Sequence, residues 1–407
     1  MHLLVISDEI FPDEIGGVAK SLYTECVALA RRGHQVTALV RAHNRQLPPE
    51  EWINGIRIVR FFSPPRHRWY YRAFPLLGIW QVTRWLRQHG QHYDVFYLHS
   101  AIYALQVNLA GLRRHTPVVH TFYAALDEYV HVLADRGKYG RLKPLAHLAA
   151  TMLGKLERWA FEQASAVLPR SQFSLDELRA KFPGAKVPDA DNLIPLCIDT
   201  DLYVPRSTAE ARQQLGLPPN RSILITVRRL DGRMGLTNLI EAIAQVREHH
   251  PQVLLLIAGR GYLQPTLEAL IAQHHLEDHV RLLGFVSEEQ LPLYLASSDL
   301  FVLPTETLEG FGLATIEALA SGVPVLGTPI GATPELLAPI HSALLTRDAS
   351  PAALAEGVKH WLSRPQELFD LRAIVRHTAE THYDSAVVGE RLEELFAGVI
   401  EQHKAQS

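Results

Sequence analysis

Glu309 and Glu317 stand eight positions apart with Gly310-Phe311-Gly312 between them, inside the stretch PTETLEGFGLATIEALASGVP at 304–324. The apolar residues Leu300–Leu303 predict a buried strand that ends at Pro304. Leu313–Ala320 predicts a helix, stopped by Gly322 and Pro324. A glycine-bearing loop that feeds a helix N-terminus presents free backbone N–H groups and the positive end of a dipole to an anion. Glu309 lies in that loop, within reach of a polar ligand group. Glu317 lies more than one turn down the helix, where a carboxylate accepts hydrogen bonds from a diol. The pattern suits a sugar at one end, a phosphate in the middle and a ribose at the other. The same residues also fit two solvent-facing charges around an ordinary turn, so the rest of the chain has to decide.

Such a loop needs a parallel sheet beneath it, and the chain supplies two. In the N-terminal part the strands expected are Leu3–Ser7, Val36–Val40, Val95–Leu98, Val118–Thr121, Ala166–Pro169 and Leu193–Leu196, with a helix over 18–32 and a turn at Gly33-His34. A second series begins near Ser222, with strands at 223–227, 253–258, 280–283, 300–303 and 323–326 and helices at 235–250, 264–274 and 287–298. This alternation predicts an α/β protein of two Rossmann-like doubly wound domains facing a central cleft, with ligands beyond the carboxyl ends of the strands. The boundaries expected are 1–198 and 199–384, with 199–219 as the linker. Leu392, Leu395, Phe396, Val399 and Ile400 form one apolar stripe on a final helix. No repeat or low-complexity tract interrupts the pattern.

Composition narrows the class. A chain of 407 residues with 47% hydrophobic and 20% charged residues buries large cores, and a net charge of −3 gives no field that favours nucleic acid. No run of 18 apolar residues predicts a membrane-spanning helix. Met1–Val5 reads directly as a first strand, without a signal peptide, and the two cysteines, Cys26 and Cys197, lack metal-like spacing. The expectation is a cytoplasmic protein.

Several other residues bear on chemistry. Gly16-Gly17 opens the first helix and lets backbone approach a diphosphate; a plain turn is the rival reading. Arg229 follows a strand and faces the ligand edge. His120 follows the apolar run 117–119, a place where a structural histidine and a ligand-binding one are both open. The D-x-D patterns at Asp189–Asp191 and Asp199–Asp201 read as turns outside any diphosphate-binding context, so no metal and no other cofactor is expected. Between Trp52 and Tyr93 there is no Asp or Glu, while Arg57, Arg60, Arg66, Arg68, Arg72, Arg84, Arg87 and four of the chain's six tryptophans fall there. That stretch suits peripheral contact with an anionic membrane, or a helical excursion with snorkelling arginines.

Taken in order, Gly16-Gly17, His120, Arg229-Leu230, Gly259-Arg260-Gly261, the Glu309/Glu317 pair and Gly331-Ala332-Thr333-Pro334-Glu335 resemble the retaining glycosyltransferases of family 4, which have the GT-B fold. The resemblance covers nearly the whole chain. It implies transfer of a hexosyl group from a nucleotide-diphosphate sugar, UDP first and GDP second, to a hydroxyl acceptor such as a lipid-linked or polysaccharide precursor. It places Glu309 and His120 at the sugar. It places Gly16, Gly17, Arg229, Gly310, Phe311, Gly312, Leu313 and Glu317 around the donor, and the last helix, over 385–407, back on the first domain. The family's second phosphate-binding cation is a lysine five residues after the arginine. Here that position is Met234, and Arg233 is the expected substitute, with Arg228 the other choice. The alternatives are a nucleotide-sugar epimerase on the same fold and a catalytically silent sugar-nucleotide-binding subunit. The localisation implied is the cytoplasm, peripheral at the inner face of the membrane.

Overall fold

The computed structural model describes residues 1–42, 44, 46–63, 74–135, 140, 143–188 and 193–406. Contacts divide the chain into two units, Met1–Pro195 with Ser385–Ser407, and Leu196–Asp384.

Among the described residues the first unit is built on seven strands: β1 (His2–Ser7), β2 (Gln35–Ala42), β3 (Glu50–Ile53), β4 (Ile56–Phe62), β5 (Val95–Leu98), β6 (Val118–Phe122) and β7 (Ala166–Pro169). They lie in the order β3-β4-β2-β1-β5-β6-β7. All neighbours are parallel except β3, which turns back on β4 through Asn54-Gly55, both at positive φ. Leu3, Leu4, Val5 and Ile6 have no exposed surface, as a central strand covered on both faces requires. The helices are α1 (Gly17–Arg31), α2 (Phe74–His89), α3 (Ala101–Leu109), α4 (Leu126–Asp135), α5 (Lys143–Gln163) and α6 (Gln172–Lys181).

The second unit carries five parallel strands, β8 (Ser222–Val227), β9 (Val253–Ala258), β10 (Val280–Gly284), β11 (Leu300–Leu303) and β12 (Val325–Gly327), in the order β10-β9-β8-β11-β12. Its helices are α7 (Thr208–Leu215), α8 (Leu236–Val246), α9 (Gln264–Gln273), α10 (Leu291–Ala296), α11 (Leu313–Ala320), α12 (Thr333–Leu337), α13 (Pro351–Leu362) and α14 (Pro365–His382). The order puts the ends of β8 and β11 side by side, and so brings the Arg229 and Glu309 loops to one edge.

Two expectations need correction. Residues 193–196 join no ladder; the nearest pairing is a single bridge from Ile198 to Asp384. The stretch 199–219 is not a bare linker, because it contains α7. Ser207 caps that helix, Gly216 ends it in the left-handed region, and Arg212 ties it to the Ser297 carbonyl and to Asp299 at 2.9 and 2.8 Å.

The final helix, α15 (Ser385–Gln406), belongs to the first unit. It buries Val388, Leu392, Phe396, Val399 and Ile400. Phe396 meets Tyr97 edge-on at 5.3 Å, and a Cβ at Gly389 would fall 2.9 Å from that of Ala28 on α1. Among the described residues, no helix is long and apolar enough to cross a membrane.

Candidate functional site

In the second unit the chain leaves β11 at Pro304 and runs through Thr305–Gly312 into α11. Leu308 and Gly312 both have positive φ. At Gly312 (φ +92°) a Cβ would be strained and would crowd the Thr315 hydroxyl at 3.1 Å. Gly312 caps α11 without any side-chain hydrogen bond, and Thr315 Oγ1 is buried with no partner. The loop is therefore locked onto its neighbours while, among the described residues, no side chain caps the helix N-terminus. The lock continues at Gly331: a Cβ there would lie 1.9 Å from the Glu309 carbonyl, which accepts the Ala332 N–H at 3.0 Å. Phe311 and Leu313 are buried, and Phe311 packs edge-on against Tyr383 at 5.9 Å. These two residues hold the loop's shape, and Gly310 lies half-buried at its bend.

Glu309 is 7% exposed. Its Oε2 accepts the Thr305 hydroxyl at 2.8 Å and pairs with Arg228. Burial alone pushes this carboxyl up. The Arg228 charge and hydrogen bond, the Thr305 hydroxyl and the Arg233 charge outweigh that and hold it below the usual carboxylate range. Glu317, on α11, is also buried, and its Oε1 accepts the Tyr203 hydroxyl at 3.0 Å. The same hydroxyl lies 3.3 Å from Glu288, in the loop after β10. Burial, then Glu317 and Glu288, push the Tyr203 phenol well up, so it remains a proton donor to carboxylates. Tyr203 and Glu288 carried no sequence signal; only the fold brings them to Glu317.

Three arginines near the end of β8 have three different situations. Arg229 is exposed and, among the described residues, unpaired. Arg233 donates to the Leu308 carbonyl at 2.7 Å and accepts the Glu306 N–H on its own carbonyl, bracing the loop from outside. Arg228 turns inward to Glu309 and Thr305. Met234 is a core residue, 5% exposed.

The first unit presents a separate group at the ends of β1, β5 and β6. Gly16, extended at φ −177°, caps α1 without a side-chain bond, and Gly17 is the first helical residue. The loop before it is acidic. Asp8 is held by Arg41 and the Tyr103 hydroxyl, and Asp13 by Arg60 through Nε at 2.6 Å and Nη2 at 2.7 Å. Glu9 Oε2 lies 3.9 Å from where a Gly16 Cβ would stand.

His120 does not stand at a strand's end. Strand β6 continues to Phe122, so the alternation of side chains turns His120 into the fold, where it has no exposed surface and packs edge-on against Phe161 at 5.4 Å. Neither ring nitrogen meets a hydrogen-bond partner of ordinary geometry. Burial pushes its pKa down to about 3, with the Leu98 backbone pulling the other way. The ring is therefore neutral and lies inside the strand rather than at its ligand edge. The polar pair at the strand ends is His99, just after β5, whose Nδ1 lies 3.1 Å from the Tyr123 hydroxyl, just after β6. Burial, reinforced by Arg170 and His120, pushes His99 well below the ordinary histidine range. Beneath them Arg170 and Glu25 form a buried ion pair at 2.9 Å.

The acid-free stretch 52–93 is balanced by carboxylates from elsewhere. Arg57 pairs with Glu50, and Arg60 is buried between Asp13 and Glu51. Arg87 donates to the Leu109 carbonyl, and Arg84 lies 5.4 Å over the exposed Trp80 ring. Arg66, Arg68, Trp69 and Arg72 lie outside the described residues, as do Asp189 and Asp191. Among the described residues, no group of three or more His, Cys, Asp or Glu is placed to hold a metal. Cys26 and Cys197 are both buried, and neither is part of a disulfide.

Comparison with known proteins adds to this geometry. Residues 207–380 match the family model for glycosyl transferases group 1, and residues 15–202 match glycosyltransferase family 4. The chain is 29% identical over 236 residues to a GDP-mannose-dependent alpha-(1-6)-phosphatidylinositol monomannoside mannosyltransferase of Mycolicibacterium smegmatis, covering 56% of this chain and 62% of that one. It is 25% identical to an alpha-monoglucosyldiacylglycerol synthase of Streptococcus pneumoniae, covering 80% and 70%. Among solved structures, sucrose-phosphate synthase from Thermosynechococcus elongatus shares the fold over 100% of both chains, with TM-score 0.80 at 23% identity. Anabaena HepE, solved in complex with UDP-glucose, covers 98% of this chain and 100% of its own with TM-score 0.71 at 20% identity.

Proposed function

The chain belongs to the family 4 glycosyltransferases of GT-B type, and from that premise we propose that it is a retaining hexosyltransferase whose second unit binds a nucleotide-diphosphate sugar. The observation that carries the reading is the N-terminus of α11, which has no side-chain cap, between two buried carboxylates, with Arg229 on the neighbouring strand end unpaired among the described residues. The diphosphate sits against that helix end and Arg229, Glu317 takes the ribose hydroxyls, and Glu309 takes hydroxyls of the sugar. In the reaction the bond from the anomeric carbon to the diphosphate oxygen breaks. The acceptor hydroxyl attacks from the same face, and its proton passes to the leaving phosphate oxygen. Glu309 stabilises the positive charge that develops on the sugar. This route needs no second carboxylate as nucleophile.

UDP is the favoured nucleotide and GDP the second. UDP-glucose in the HepE complex supports the first and GDP-mannose dependence of the mycobacterial relative supports the second. The acceptor is a hydroxyl of a lipid-linked precursor, a reading supported by the phosphatidylinositol and diacylglycerol named for two relatives. The same reading puts the protein at the cytoplasmic face of a membrane, touching anionic lipid through 52–93. Proton NMR of the product made from UDP-glucose or GDP-mannose tests the reaction. An axial donor linkage kept in the product supports retention, and an inverted linkage refutes it. Donor converted without any acceptor would instead identify an epimerase.

A further inference from the structure

Arg228 sits directly before Arg229 and, by its place after β8, is a candidate for the diphosphate. Its side chain is committed elsewhere. It is 7% exposed; Nη2 donates to Glu309 Oε2 and Nη1 donates to Thr305 Oγ1. The Thr305 hydroxyl, itself fully buried, passes its own hydrogen to that same Oε2 at 2.8 Å. Three residues from two adjacent strand ends thus close a ring around one carboxylate oxygen. The other oxygen, Oε1, accepts no hydrogen bond from the described residues and faces Gly312, where a Cβ would stand 3.6 Å away.

We propose that Arg228 is a positioning residue which, with Thr305, fixes Oε2 of Glu309 and so aims Oε1 at the donor sugar; this rests on the reading of Glu309 given above. An ionised carboxylate accepts about four hydrogen bonds, two or so per oxygen, so two donors fill Oε2 and leave Oε1 for ligand hydroxyls. Anchoring one oxygen by a charge-assisted fork removes the side chain's rotational freedom before the sugar arrives. It also accounts for a buried carboxylate that stays anionic, since the charged and polar groups facing it are Arg228, Arg233 and Thr305. Arg233 remains outside, on the Leu308 carbonyl, and of these three arginines Arg229 is the one whose side chain has no partner among the described residues.

The test uses the full chain with Arg228→Met, Arg228→Lys, Thr305→Val, Glu309→Gln and the pair Arg228→Met with Glu309→Gln. Three readouts are taken: kcat against pH with a nucleotide-sugar donor, calorimetric affinity for UDP, and thermal stability against pH. Arg228→Met is expected to move the acid limb of kcat to higher pH by about one unit or more, a tenfold loss at a fixed acidic pH. UDP affinity is expected to change less than about threefold. Arg228→Lys, which keeps the charge without the fork, recovers part of the shift, and Thr305→Val shows a smaller one. In the Glu309→Gln background, Arg228→Met adds no further loss of turnover. A tenfold weakening of UDP binding with the pH profile unmoved would overturn the proposal and make Arg228 a phosphate ligand. Glu309→Gln inactive with Arg228→Met unaffected would overturn the proposal alone. Glu309→Gln fully active would overturn the reading of Glu309 and the proposal with it.

Discussion

Removing the Arg170 guanidinium puts a number on how the first unit's site is held. Arg170 is 1% exposed, and Glu25, on α1, is not exposed at all. The guanidinium donates to both Glu25 oxygens at 2.9 Å, to Thr121 Oγ1 at 3.0 Å, and to the carbonyls of Ile194 and Pro195 at 3.4 and 3.3 Å. It also contacts the Tyr97 hydroxyl. One side chain thus joins α1, the ends of β5, β6 and β7, and the chain leaving the unit. In Arg170→Met the Glu25 carboxylate is left in the core without its countercharge. Breaking a buried pair from one side costs about 3–5 kcal/mol, mostly as uncompensated charge. For a unit of this size that lowers the midpoint of its thermal transition by about 6–20 °C. Replacing both partners, Arg170→Met with Glu25→Leu, removes the orphan charge and returns most of the loss. Calorimetric scans of the two variants check this. A single variant within about 1 kcal/mol of wild type, or a double variant worse than the single, would refute the electrostatic account.

Arg229→Ala should weaken nucleoside diphosphate by about 1.5–3 kcal/mol and free nucleoside far less; equal weakening of both in calorimetry would remove Arg229 from the phosphate. Tyr203→Phe leaves Glu317 and Glu288 facing each other without the shared hydroxyl, at a cost of about 1.5–3 kcal/mol that urea unfolding should show. His120 binds its proton only near pH 3 in the folded state but near its ordinary value when unfolded. Its contribution is therefore present above about pH 6.5 and is lost as pH falls toward 3, by up to about 4–5 kcal/mol. His120→Leu should flatten stability across that window and keep neutral-pH turnover within a few-fold; a hundredfold loss with the fold intact would restore His120 to the sugar. For the membrane reading, the protein should sediment with anionic vesicles at low salt and be released at high salt, as a polybasic contact requires. Arg84→Glu with Arg87→Glu should weaken that binding, and indifference of the wild type to anionic vesicles would end the idea.

Much of this was written in local sequence, because parallel strands buried on both faces are continuous apolar runs. β5, β7, β9 and β11 fall where those runs fall. The Glu309 loop was legible for the same reason: Pro304, Gly312 and Gly322 punctuate it. The β3–β4 hairpin lies outside the expected strands although Asn54-Gly55 is a strong turn signal, because Trp52, Arg57 and Arg60 have the look of surface charge. The partners of those arginines, Glu50, Glu51 and Asp13, lie outside the acid-free window, so counting charge within the window could not find them. β6 runs one residue past the expected Val118–Thr121, to Phe122, which keeps His120 inside the strand and carries the ligand edge on to Tyr123. Arg228 and Arg233 are indistinguishable as letters; a buried carboxylate and a backbone carbonyl separate them only once the loops have closed. Tyr203 meets Glu317 across 114 residues of chain, a contact no local pattern encodes.

The central claim is that the strand-loop-helix of the second unit divides its labour, with Glu317 on the nucleotide and Glu309 on the sugar. Calorimetric titration of UDP and GDP into wild type, Glu317→Ala and Glu309→Gln tests it most directly. The account predicts that one of the two nucleotides binds the wild type, that Glu317→Ala weakens it by about 1.5–3 kcal/mol, and that Glu309→Gln leaves it nearly unchanged while turnover is lost. Unchanged nucleotide affinity in Glu317→Ala would contradict it.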